Sequence, residues 1–147
     1  MRKLAILIAI PTLALATAAF ADSIPASGQK GGYNGYSSEE MDAARNSAQS
    51  ARTSKDISGV HDHLQAVVNC IVGQGGPGFV ASTNNPCVHM GNGALHDVMQ
   101  NSDESRLLND ALDEAKDGLS STSIDTAHED AKKAFNDIDN AESSSEQ

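Results

Sequence analysis

The sequence predicts an all-α protein, a four-helix bundle made of two repeated helical hairpins with a disulfide-pinned, glycine-rich loop between them. Three observations predict it. Apolar residues recur at three- and four-residue spacing in four separate segments. A polar residue suited to capping stands at the start of each segment. The two cysteines, Cys70 and Cys87, flank the stretch IVGQGGPGFVASTNNP, which breaks that period.

The first segment begins at Ser37, followed three residues later by Glu40 in the spacing of a capping box, and continues through Met41, Ala44, Ala48 and Ala51. Its stripe is almost entirely alanine. The second starts at Asp56, with Ile57, Val60, Leu64, Val67, Val68 and Ile71 on one side. The third starts at Ser102 and carries Leu107, Leu108, Ala111, Leu112, Ala115 and Leu119; the fourth starts at Ser123 and carries Ile124, Ala127, Ala131, Ala134, Phe135 and Ile138. The expected spans are 38–54, 56–72, 103–119 and 123–141. A shift of 67 residues lays the first pair on the second, matching Met41 with Leu108, Ala44 with Ala111, Ser54 with Ser121, Ile57 with Ile124, His61 with His128 and Ile71 with Ile138. This points to one hairpin used twice, with close helix approach through small side chains.

The ends of the chain read differently. Residues 1–21 have the plan of a secretory signal peptide: a basic head at Arg2 and Lys3, the apolar run LAILIAIPTLALATAAF, and a small-x-small site at Ala19-Phe20-Ala21. Cleavage near Ala21 would deliver the chain to the periplasm or the exterior. The alternative, an uncleaved anchor, has Pro11 and Thr12 inside the span against it. Residues 22–36 form a Gly- and Ser-rich leader holding both tyrosines, residues 37–142 the helical domain with its loop at 73–101, and residues 143–147 a polar tail expected to be disordered.

The formal net charge is −10, and −12 without the basic head. Such a surface repels nucleic acid and anionic lipid, so neither is an expected partner, and no membrane association is expected after cleavage. Export and a count of two cysteines predict a Cys70–Cys87 disulfide, against the competing readings of a Cys-His nucleophile or a thiolate ligand. GQGGPG lacks the lysine a phosphate loop requires. There is no Cys-x-x-Cys-His haem attachment, and the acidic residues are too dispersed to nominate a general acid and base. An enzyme is not expected.

The stretch GVHDHLQAVVNC tests the metal question. At about 100° per residue His63 lies about 200° from His61, so the two imidazoles cannot close on one ion from a single helix. His61 shares the apolar face with Ile57 and Leu64, and His128 holds the matching place on the last helix. Two readings follow. The pair is a site for a divalent metal ion, zinc or copper, completed by water or by Asp125 or Glu129, or it is a pair of partly buried histidines satisfied by hydrogen bonds. A weaker candidate set, His89, Met90, His96 and Met99, offers soft ligands suited to copper, with His96 and Met99 sharing a face if residues 94–99 make a helical turn.

The export signal peptide, the alanine-striped paired hairpins and the histidines within them resemble the small periplasmic metal-binding helical-bundle proteins. The resemblance covers about Ser38 to Ala141 in pattern and implies a non-enzymatic bundle that binds divalent metal, with His61 and His128 matching that family's in-helix histidine positions. This chain has five histidines where that family is histidine-rich, and the cysteine-bridged loop has no counterpart in it. The alternative function is a structural or protein-interaction module that uses the loop at 73–93 as its contact surface, without metal.

Overall fold

The computed structural model describes residues 37–81 and 84–145. Within them the chain is all-α, with five helices and no strand: α1 Ser37–Thr53, α2 Ile57–Val72, α3 Ala94–Asp97, α4 Asp103–Ser120 and α5 Ile124–Ser145. The four long helices fall within a few residues of the expected spans. The expected signal peptide, 1–21, and the expected leader, 22–36, lie outside the described residues.

Local chemistry sets the boundaries. Asp56 is extended and its carboxylate accepts from Gly59 N–H, while Ser102 is extended and its hydroxyl accepts from Ser105 N–H. Ser123 Oγ accepts from Thr126 N–H at the start of α5. These are three of the four caps expected. At α1 the expectation of a capping box fails. Ser37 is already helical and buried, and Glu40 turns inward with Met41 and Ala44 instead of back toward the helix start. Helix α3 is the single turn that sequence periodicity could raise only as a conditional. Helix α5 runs to Ser145, three residues into the expected tail, because Ala141 is fully buried and Ser143 Oγ and Ser144 Oγ bond back to the Asp139 and Ala141 carbonyls.

Helix α1 packs on α2 and α5, and α4 packs on α5 and α2, so α1 and α4 stand at opposite corners. The core runs down the middle through Met41, Ala44, Ala48 and Ala51 of α1, Val60, Leu64, Val67 and Ile71 of α2, Leu108, Ala111 and Ala115 of α4, and Ala127, Ala131, Ala134 and Ile138 of α5. Small side chains bring the helices close at Gly118: a Cβ there would lie 2.6 Å from Leu64 Cδ1, which would have to shift, and 3.3 Å from Asp130 Cβ. Arg45 ties α1 to α5 through Glu142 at 3.0 Å and Asp139 at 3.8 Å, and Arg52 lies over the Phe135 ring at 4.9 Å. No described helix is long and apolar enough to cross a membrane.

Candidate functional site

Two places collect the residues that the sequence singles out. The first is the level of the two interhelical turns. His61 Nε2–H donates to the Ser121 carbonyl in the α4–α5 turn, and His128 Nε2–H donates to the Ser54 carbonyl in the α1–α2 turn, both at 3.0 Å. Each histidine stands seven residues after the serine of its own turn and bonds the serine of the other. Both rings are half-buried, and each satisfies a carbonyl that a helix end leaves without an intrahelical partner. In the neutral ring this bond fixes the proton on Nε2, so a metal ion would have to be met by Nδ1. His63 is exposed, as its angular position requires, and so is Asp125; Glu129 is exposed too and pairs with Lys132 at 3.4 Å. Among the described residues no group of three or more His, Cys, Asp or Glu side chains could hold a metal ion.

The second place is the loop after α2. Cys70 and Cys87 are bonded, with Cα atoms 5.3 Å apart, which ties the loop to the last turn of α2. A second tether is polar. Asn69, buried in that same turn, donates from Nδ2 to the Val80 carbonyl at 2.8 Å and accepts at Oδ1 from Val80 N–H at 3.0 Å, so its amide acts as a strand partner for one loop residue. Gln65 Nε2 adds a bond to the Gly78 carbonyl at 3.0 Å. The loop then returns across its own start. Gly73, at φ 68°, and Gly93, at φ 104°, cross with their backbones in direct contact, and a Cβ on either would collide with the other strand.

Between α1, the end of α2 and this loop lies a cavity of about 250 Å³, lined among others by Glu40, Gln74, Phe79, Asn85, Val88 and His89. Glu40 is its charged wall. The residue is 1% exposed, its Oε1 accepts from Gly93 N–H at 2.9 Å, and its Oε2 has no hydrogen-bond partner among the described residues. Burial is the main cause that pushes its pKa up to about 7, with the Asp97 charge adding to the rise and the Gly93 bond and His96 opposing it. The sequence spacing from Ser37 reads Glu40 as part of a helix cap, and the structure places it in the core instead. The available signal was its angular position beside Met41 and Ala44 on the buried stripe.

The weaker metal candidates are dispersed around the same loop. His89 is exposed and held at φ 72°, Met90 is half-buried, and the His96 side chain is 72% exposed with Nδ1 at 3.3 Å from Asp97 Oδ1. The helical turn stops at Asp97 and Val98 is extended, so the shared helical face expected for His96 and Met99 does not form. Val80 and Val88, 50% and 49% exposed, present apolar surface beside the cavity.

Comparison with protein-family models, with curated proteins and with solved structures returned no match.

Proposed function

We infer that this chain is an exported, non-catalytic binding module: a four-helix bundle of two repeated hairpins that presents the disulfide-pinned loop at 73–93 as its contact surface to another protein. One observation carries the reading. The loop is held by a disulfide, by the Asn69 amide and by the crossed glycines, and it still exposes Val80 and Val88 beside a cavity walled by a buried carboxylate. Binding residues sit disproportionately on loops that a rigid scaffold positions. Export is supported by the basic head, apolar run and small-x-small site, and by the disulfide, which persists in oxidising compartments. The repeat is supported by the exchange of equivalent bonds: a shift of 67 residues carries Ser54, the Asp56 cap and His61 onto Ser121, the Ser123 cap and His128.

The metal reading, zinc or copper at His61 and His128, rests on their common level and on the Nδ1 atoms that remain as acceptors. Its shell would need further ligands, and the nearest acidic candidates in sequence, Asp125 and Glu129, are exposed.

The contact surface is tested with a photo-crosslinking side chain placed at Val88 and, as a control, at exposed Asp113 on α4, in cells that make the protein. The expected result is a discrete crosslinked species from position 88, absent from position 113 and lost when Val80→Asp is added. Equal, diffuse crosslinking from both positions would refute the loop as the contact surface.

A further inference from the structure

We propose that Asn92–Gly93 is a self-modifying site: Glu40 takes the proton from Gly93 N–H, and the freed nitrogen closes on the Asn92 side-chain amide to give a cyclic imide, which water opens to aspartate or isoaspartate. The reaction is independent of what the loop contacts.

The dipeptide comes first. When the nitrogen after an asparagine attacks that residue's own Cγ, a five-membered ring closes within the chain, so no encounter has to be arranged. Gly93 has no Cβ to crowd the closure. What an ordinary peptide lacks for this step is a base, because a backbone N–H is a very weak acid. Here Glu40 Oε1 lies 2.9 Å from the Gly93 nitrogen, within the roughly 2.6–3.2 Å reach that proton abstraction needs. Oε2 has no hydrogen-bond partner among the described residues, and burial holds the pKa at about 7, so the ionised form is a stronger base than an exposed glutamate. Backbone contact fixes the aim. The Asn92 carbonyl lies against Gly73, where any Cβ would collide with it, and the Gly93 N–H meets Glu40 from that crossing. Gly93 is buried and Asn92 exposed, so the base is shielded while ammonia leaves and water arrives from outside.

The Gly93 N–H bond breaks to Glu40 Oε1 as the bond from nitrogen to Asn92 Cγ forms. Glu40 then passes the same proton to Asn92 Nδ2 as the bond from Cγ to Nδ2 breaks, which releases ammonia and restores the carboxylate. Hydrolysis of the imide at the side-chain carbonyl gives aspartate. Hydrolysis at the main-chain carbonyl gives isoaspartate, with an extra methylene in the main chain at the Gly73 crossing. Either product adds a negative charge to the loop.

The charged groups that face Glu40 are Asp97 and His96 of α3, with His89 on the cavity wall, and the last turn of α2 contributes Asn69 and no charge. Only ionised Glu40 accepts the proton, so the rate at Asn92 rises with pH to about 7 and levels off above it. Ring closure driven by hydroxide alone keeps rising.

The test follows both Asn-Gly dipeptides of the full chain, disulfide intact, by peptide mapping between pH 5 and pH 9, with Asn34–Gly35 as the internal reference. At pH 7 conversion at Asn92 is expected to be at least about tenfold faster than at Asn34, and to fall to the Asn34 rate when the chain is unfolded in urea. Glu40→Gln keeps an oxygen for the Gly93 bond but cannot take its proton. It is expected to slow Asn92 by at least about tenfold at pH 7, to leave Asn34 unchanged and to abolish the plateau above pH 7. Conversion at Asn92 no faster in the folded wild type than in urea would overturn the self-modification, and this comparison needs no variant. Equal rates at Asn92 in the wild type and in folded Glu40→Gln would overturn it too, leaving the Glu40–Gly93 bond as a tether.

Discussion

Three side chains, His61, His128 and Glu40, decide most of the chemistry, and each makes its bond to a backbone group far away in sequence. The two histidines join the hairpins by capping each other's turns, so His61→Ala or His128→Ala leaves a turn carbonyl without its donor and is expected to cost about 1 to 2 kcal/mol in urea denaturation. Unchanged stability in both variants would refute the clamp. Glu40 acts in the opposite direction. Its pKa is raised from 4.5 to about 7, so the folded state holds its proton more tightly than the unfolded state does. Its contribution to stability is therefore greatest below about pH 4.5, declines as pH rises toward 7 and stays low above that. Glu40→Gln should flatten this part of the profile and raise stability at pH 8, measured by denaturant midpoints at pH 5 and pH 8. A larger loss at pH 8 than at pH 5 would contradict the assignment. The sequence made the inward direction of His61 and His128 legible, because helical angle alone sets it. It left open metal or hydrogen bond, because the partners are carbonyls in turns, which no side-chain pattern records.

At the scale of elements, the stripes of α1, α2, α4 and α5 were legible because burial on one face imposes a 3.6-residue period that survives in any sequence. Helix α3 was not, since one turn is too short to show a period, and the end of α5 was hidden by serines that bond back to their own helix. Gly118 also escaped notice: a glycine inside a helix reads as a weakness until the Leu64 side chain is found against it. Gly118→Ala should gain about 1 kcal/mol in helix propensity yet lose about 1 to 3 kcal/mol through crowding, for a net destabilisation in urea melts. Adding Leu64→Ala should cost less than the sum of the two single changes, because the smaller side chain removes the clash. Additive losses would contradict the close approach. The loop's route was invisible for a different reason. The Asn69 amide and the Gly73–Gly93 crossing depend on contacts between residues 11 and 20 positions apart, with no periodic signature.

For the molecule as a whole, the helical core and the disulfide divide the labour: the core holds its shape through alanine faces and exchanged histidine bonds, and the bridge keeps the loop poised at one end. Reducing Cys70–Cys87 frees the loop in the unfolded chain and should lower stability by about 3 kcal/mol, read as a fall in Tm with reductant. An unchanged Tm would show that Asn69 and the glycines suffice. The central claim is that the histidines hold the fold together while binding takes place at the loop. Long-range proton–nitrogen NMR of the imidazoles, recorded with and without equimolar zinc, tests it most directly. The account predicts His61 and His128 as Nε2–H tautomers whose nitrogen shifts do not move when zinc is added. Zinc-dependent movement of both Nδ1 resonances would contradict it and place the binding site between the hairpins.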